Sequence, residues 1–103
     1  MIENKNLTIN ESFNLAIKNH QEGKTDIAQE FYNQVLKVDP NHLGALNNLG
    51  ILFKKLNQIQ KAINCYEKVI QIDPDHVDAH NNLGNALKEL GDFHKAKDCY
   101  EKV

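Results

Sequence analysis

His76 and His80 stand four residues apart, with Asp75 and Asp78 beside and between them. On one continuous helix that spacing would suit a metal ion. However, Asp73-Pro74 lies just upstream, which places His76 in a loop and His80 on the helix that follows, in a packing position. The two cysteines, Cys65 and Cys99, are 34 residues apart and match no compact zinc pattern. No nucleophile–base pair, glycine-rich phosphate loop or paired-carboxylate motif stands out, so no catalytic residue, metal or cofactor is expected. The chemistry that recurs is that of amides. Asn47-Asn48-Leu49-Gly50 returns as Asn81-Asn82-Leu83-Gly84, again 34 residues on. An amide side chain carries a donor and an acceptor, so it can pair with the N–H and C=O of an extended peptide whatever that peptide's side chains are.

Composition narrows the classes. The net charge is −2, and all twelve basic residues are Lys. Without Arg the usual fork for phosphate or base contacts is missing, so nucleic acid is not an expected partner. The opening MIENKNLTIN has no apolar run that reads as a signal peptide. No stretch approaches the roughly 18 apolar residues of a membrane helix. A cytoplasmic location without a membrane partner is the expectation, with both thiols reduced. Fourteen Asn residues are scattered among apolar ones rather than gathered in a low-complexity tract.

What must position the amides is a repeat. Residues 43–69 laid over 77–103 give 14 identities in 27 pairs. A weaker copy lies 34 residues upstream, with Leu15, Ala28, Tyr32, Val35 and Pro40 in register. Within the middle copy, Leu46, Leu49, Gly50 and Phe53 follow one helical stripe, and Ile59, Ala62, Ile63, Tyr66, Val69 and Ile70 follow a second. Asn57 separates them, where the other copies have Gly23 and Gly91; Asn and Gly accept the left-handed conformation that ends a helix. Asp73-Pro74 stops the second helix. Thr8-x-x-Glu11 reads as a capping box that starts the first. Each copy is therefore a helix–turn–helix unit that needs its neighbours to close a core. Ala16, Gly50 and Gly84, with Ala28, Ala62 and Ala96, let backbones approach, while Tyr32, Tyr66 and Tyr100 fill the space between. Neighbouring helices in register sit too far apart for a Cys65–Cys99 disulfide.

A 34-residue helix–turn–helix with Leu-Gly, then Ala, then an aromatic, then Pro resembles the tetratricopeptide repeat. Leu46, Leu49-Gly50, Phe53, Ala62, Tyr66, Val69 and Pro74 carry the resemblance best. His80 and Ser12 stand where Leu46 does, and Asn19 departs in the first copy. The resemblance implies an all-α, right-handed α-solenoid whose first helices line a concave face. Asn14, Asn48 and Asn82 would form a row there, similar to the asparagine ladder in the tetratricopeptide region of O-GlcNAc transferases. Asn47, Asn81, Asn85, Lys54 and Lys88 would share the face, with His20 in the place of the two lysines and Asp78 and Glu89 opposing their charge. A clamp for a chaperone's C-terminal carboxylate, as some three-repeat members have, would need matches at Phe13, Ile17, Asn48, Asp78 and Asn82. Only Asn48 fits, and Asp78 would repel a carboxylate.

The expected organisation is a lead-in at 1–8, repeats at 9–42 and 43–76, and an incomplete repeat at 77–103, in a fragment of a longer repeat protein. The expected activity is non-catalytic gripping of an extended peptide or protein segment. Two alternatives stand beside it. One is self-association into a homo-oligomer through an uncovered last helix bearing Ala96, Tyr100 and Val103. The other is a recruiting arm for a larger glycosyltransferase-like enzyme.

Overall fold

The chain's computed structural model describes residues 7–101, side chains at 93, 94 and 96 excepted. Six helices follow one another: α1 (Ile9–Gln21), α2 (Thr25–Val38), α3 (Leu43–Lys55), α4 (Ile59–Ile72), α5 (Val77–Leu90) and α6 (Phe93–Glu101). Local chemistry sets their ends. The Thr8 hydroxyl accepts from the Glu11 N–H, and the Glu11 carboxylate accepts from the Thr8 N–H. The Thr8 N–H foremost, and then the Thr8 side chain, hold the Glu11 carboxyl below its ordinary range. His42 and His76 each start a helix: their Nδ1 atoms accept from the N–H of Ala45 and Ala79, at 3.0 Å in both cases. Both histidines thus cap helices, as their loop position implies. Gly23, Asn57 and Gly91 all adopt positive φ. The N–H groups just after them, on Lys24, Gln58 and Asp92, reach back to the carbonyls of Asn19, Phe53 and Leu87, the Schellman closure of a helix end.

Consecutive helices pair as α1/α2, α3/α4 and α5/α6, and α2 and α4 each pack on the helix that follows. Beyond these neighbours, α1 touches α3 and α3 touches α5, whereas α2 and α4, and α4 and α6, do not meet among the described residues. One edge of the stack is therefore drawn together and the other splayed. That is curvature, with α1, α3 and α5 on the inside. The molecule is an all-α helical-repeat solenoid, 45 × 25 × 17 Å along its principal axes.

The core runs through the stack without a break between repeats. Ala16, Tyr32, Val35, Ala45, Leu52, Ala62, Tyr66 and Ala86 are all at most 1% exposed and, with Leu49, Phe53, Leu83 and Leu87, form one cluster. The inner-helix glycines earn their place by contact. A Cβ on Gly50 would sit 2.5 Å from Tyr66 Cε1, and one on Gly84 2.7 Å from Tyr100 Cε1. Both lie below any tolerable carbon–carbon distance, so the ring of each tyrosine rests directly on the backbone of its own repeat's inner helix. The expected role of tyrosine between units holds for Tyr32 and Tyr66; Tyr100 is 37% exposed. The side chain of Ala96 and the whole of Val103, expected on the same last face, lie outside the described residues.

Where Leu46 and His80 stand, repeat one has Ser12. Leu46 packs with Val69 and Ala79, and His80 is buried with its Nε2–H donating to the Pro74 carbonyl at 2.7 Å. The smaller Ser12 leaves an opening of about 300 Å³, lined by Leu7, Ile9, Val35 and Val38 among others. The Gln34 Oε1 that borders it is buried and has no hydrogen-bond partner among the described residues. No described helix is long and apolar enough to cross a membrane.

Candidate functional site

The inner wall is built from α1, α3 and α5, and these helices carry Asn14, Asn48 and Asn82 in turn. Asn14 is exposed, and Asn48 and Asn82 are half-buried. They are not three equivalent free amides. The Asn48 side chain stands near the hydroxyl of Tyr32, close enough to act on its pKa. That hydroxyl also meets His20 Nδ1 at 3.0 Å, and the two rings stand edge to face with centroids 5.8 Å apart. Tyr32 is fully buried, and burial pushes its hydroxyl up to about 12, with the Asn48 contact pulling the other way. Asn82 instead donates through Nδ2 to Asn47 Oδ1 at 3.2 Å, a bond that joins α3 to α5. The Tyr66 hydroxyl, in the Tyr32 place, makes no hydrogen bond among the described residues. Burial likewise raises it well above its ordinary range.

Asn85, Lys54, Lys88 and Glu89 line an open groove of about 480 Å³ between α3 and α5. The two lysines differ. Lys54 pairs with Glu89 at 3.4 Å, whereas Lys88 is exposed and has no ion-pair partner among the described residues. Asn85 accepts a short hydrogen bond from the Tyr100 hydroxyl. Asn81, on α5, is exposed. The charges form a band: Lys18 and His20 close α1, Lys54 and Lys55 close α3, and Lys88 closes α5, while Glu11 and Asp78 lie in first turns. That distribution also favours each helix dipole.

The sequence singled out the amide row and the Lys54/Lys88 place; it did not reveal the three hydroxyl and amide contacts. Helix-hairpin geometry holds the missing signal. Residues His20 and Tyr32 flank a tight turn, so the end of α1 faces the start of α2, and a buried hydroxyl there needs a partner. Elsewhere the described residues hold no cluster of three His, Cys, Asp or Glu suited to a metal. No disulfide joins the cysteines. Burial pushes the Cys65 thiol up to about 11, away from the reactive thiolate.

Comparison with known proteins agrees with this architecture. Tetratricopeptide repeat profiles match residues 12–42, 31–64 and 81–103, and a TPR repeat profile matches 52–91. The chain belongs to the tetratricopeptide repeat family. A stretch of the uncharacterized protein ycf37 of Pyropia yezoensis is 40% identical over 40 residues, covering 39% of this chain and 22% of that protein. Two solved structures share the fold. MamA superposes with a TM-score of 0.89 at 22% identity, over 92% of this chain and 56% of its own. The second TPR of Spaghetti (RPAP3), bound to the HSP90 peptide SRMEEVD, superposes with a TM-score of 0.87 at 21% identity, over 93% and 89%. The chain thus spans about a fifth of the curated relative and about half of MamA.

Proposed function

We propose that this tetratricopeptide repeat segment is an interaction scaffold whose concave wall holds an extended peptide or protein segment by its backbone. The observation that carries the reading is the amide lining of α1, α3 and α5, with Asn14, Asn48 and Asn82 one repeat apart and Asn47, Asn81 and Asn85 beside them. Amides satisfy both backbone groups of a strand-like ligand, and the wall is polar and of mixed charge, which suits a grip with little side-chain preference. Lys54 and Lys88 at the groove between α3 and α5 would add a basic contact. The Spaghetti domain, a structural neighbour that holds a peptide, supports a peptide as the class of ligand. Its peptide ends in a carboxylate. This chain has Phe13, Ile17, Asp78 and Asn82 where the carboxylate clamp needs other residues, so an internal stretch of backbone is the better fit here.

Replacing Asn14, Asn48 and Asn82 together with Ala tests the proposal. Each lost hydrogen bond is worth about 0.5–1.5 kcal/mol, so affinity for extended peptides should fall about tenfold or more with helix content unchanged. Equal affinity for the triple variant and the parent, measured by calorimetric titration against a peptide library, would remove the amide row from the binding site.

A further inference from the structure

Four side chains line the groove of about 480 Å³ between α3 and α5: Lys54, Asn85, Lys88 and Glu89. Three of them are already engaged. Asn85 bonds the Tyr100 hydroxyl of α6, and Lys54 pairs with Glu89 at 3.4 Å. Lys88 is exposed and has no ion-pair partner among the described residues. An ammonium carries three donors and no acceptor. The group that answers Lys88 is therefore an acceptor, and the lysine's charge favours an anion.

Glu89 shows which anion the groove takes. Its carboxylate stands against a lysine of the neighbouring repeat. It does so from the last turn of α5, where the helix dipole disfavours negative charge. The corresponding residues of the earlier repeats are Gln21 and Lys55, so the repeat pattern does not call for an acid here. The lysine place, in contrast, recurs as Lys54 and Lys88. The pair is also open to exchange. Its side chains are 30% and 51% exposed, and an ion pair in such contact with water is weak. The other charges agree with an incoming anion: Lys55 adjoins Lys54 in the last turn of α3, and Asp78, the second acid of α5, lies in that helix's first turn.

We propose that the groove between α3 and α5 is a subsite for an acidic side chain of the bound segment, with Glu89 as its built-in occupant: an Asp or Glu of the ligand pairs with Lys88 and takes the place of Glu89 on Lys54. The subsite rests on the peptide-binding proposal and narrows it, adding one acidic preference to a backbone grip. Lys54 follows Asn48 by six residues and Lys88 follows Asn82 by six, about 9 Å further along each helix. Extended Lys and Glu side chains close that gap between them. Since the amides are spread over all three inner helices, the ligand backbone continues past the groove, and a side chain is what enters it.

Two capped Ala-Ser heptapeptides, one with Glu and one with Gln at the centre, test this by titration into the ¹⁵N-labelled chain, with the Asn85 side-chain NH₂ as the local reporter. The Glu peptide should bind the parent about two- to fivefold more tightly than the Gln peptide, and the ratio should shrink as salt is added. Lys88→Gln should bring the ratio to about one. Glu89→Gln, which frees Lys54, should raise it by about twofold or more, whereas Glu67→Gln, the same charge change on α4, should leave it where it was. Equal affinities in the parent, or a ratio that Lys88→Gln does not lower, overturn the subsite and leave peptide binding standing. A ratio that Glu89→Gln does not raise, or that Glu67→Gln raises as much, overturns the displacement of Glu89. A Gln peptide with a free terminal carboxylate that matches the Glu peptide overturns the side-chain assignment. Failure of every peptide to bind overturns the subsite and the peptide-binding proposal together.

Discussion

The two junctions between repeats are built from the same letters and wired differently. At the first, Tyr32 is fully buried and its hydroxyl meets His20 Nδ1 at 3.0 Å. At the second, Tyr66 is equally buried, yet it rests on Gly50 and makes no hydrogen bond among the described residues, while Lys54 reaches Glu89 and Asn82 reaches Asn47. A repeat copies backbone positions faithfully. It does not copy polar contacts, because each depends on two or three residues that must vary together, and one exchange of His for Lys removes the imidazole that the Tyr32 hydroxyl meets. The lesson is that packing is periodic here and hydrogen bonding is local.

The largest effect should come from removing a ring. Tyr66→Ala should cost about 3–5 kcal/mol, by analogy with other aromatic truncations, much of the whole stability of a domain this small. A chemical-denaturation midpoint that scarcely moves would mean that Tyr66 is not the packing centre of the second junction. A smaller and more pointed effect separates the floors beneath the rings. Gly50→Ala should destabilise by about 1–3 kcal/mol through overpacking against Tyr66, whereas Ala16→Gly in the first repeat should cost only about 0.5–1 kcal/mol of helix propensity. Equal losses in thermal unfolding would break the distinction between the two floors.

Ser12→Leu should act in the opposite direction. It gives the first repeat the side chain found at Leu46, and filling the opening beside Val35 and Val38 should stabilise by about 0.5–2 kcal/mol. A loss of stability would show that the larger side chain overpacks the opening rather than fills it. The smallest effect sharpens the polar contrast. Tyr32→Phe should cost about 1 kcal/mol, and more if His20 is left unpaired, while Tyr66→Phe should be near neutral. Stability should also carry a trace of His20. Its folded value is lowered, so the unfolded chain binds the extra proton; the contribution is complete above 6.5 and is lost as pH falls through that value toward the folded one. A parent-minus-His20→Lys stability difference that grows on acidification would contradict this sign.

The helices were legible because their signals are short-range. Thr8 and Glu11 cap α1, Gly23, Asn57 and Gly91 take positive φ, and Pro40 and Pro74 follow the ends of α2 and α4, each through contacts within a few residues. The core followed from the stripes at Leu46, Leu49, Gly50 and Phe53 and at Ala62, Ile63, Tyr66 and Val69, all buried. The polar wiring was not legible. Asn48 and Asn82 share a repeat position, and nothing in their sequence neighbourhood says that Asn82 takes Asn47 as its partner.

The sequence by itself determined six helices, their ends and the 34-residue stacking period, because hydrophobic periodicity, caps and breakers act within one or two turns of chain. The tertiary structure alone decided that α1 and α3 approach while α2 and α4 part, that Lys54 is tied to Glu89 and Lys88 is not, and that His20 meets the buried Tyr32 hydroxyl. Those outcomes turn on differences of an ångström or two between helices that are distant in sequence, where a hydrogen bond is either made or lost and no local pattern records the choice.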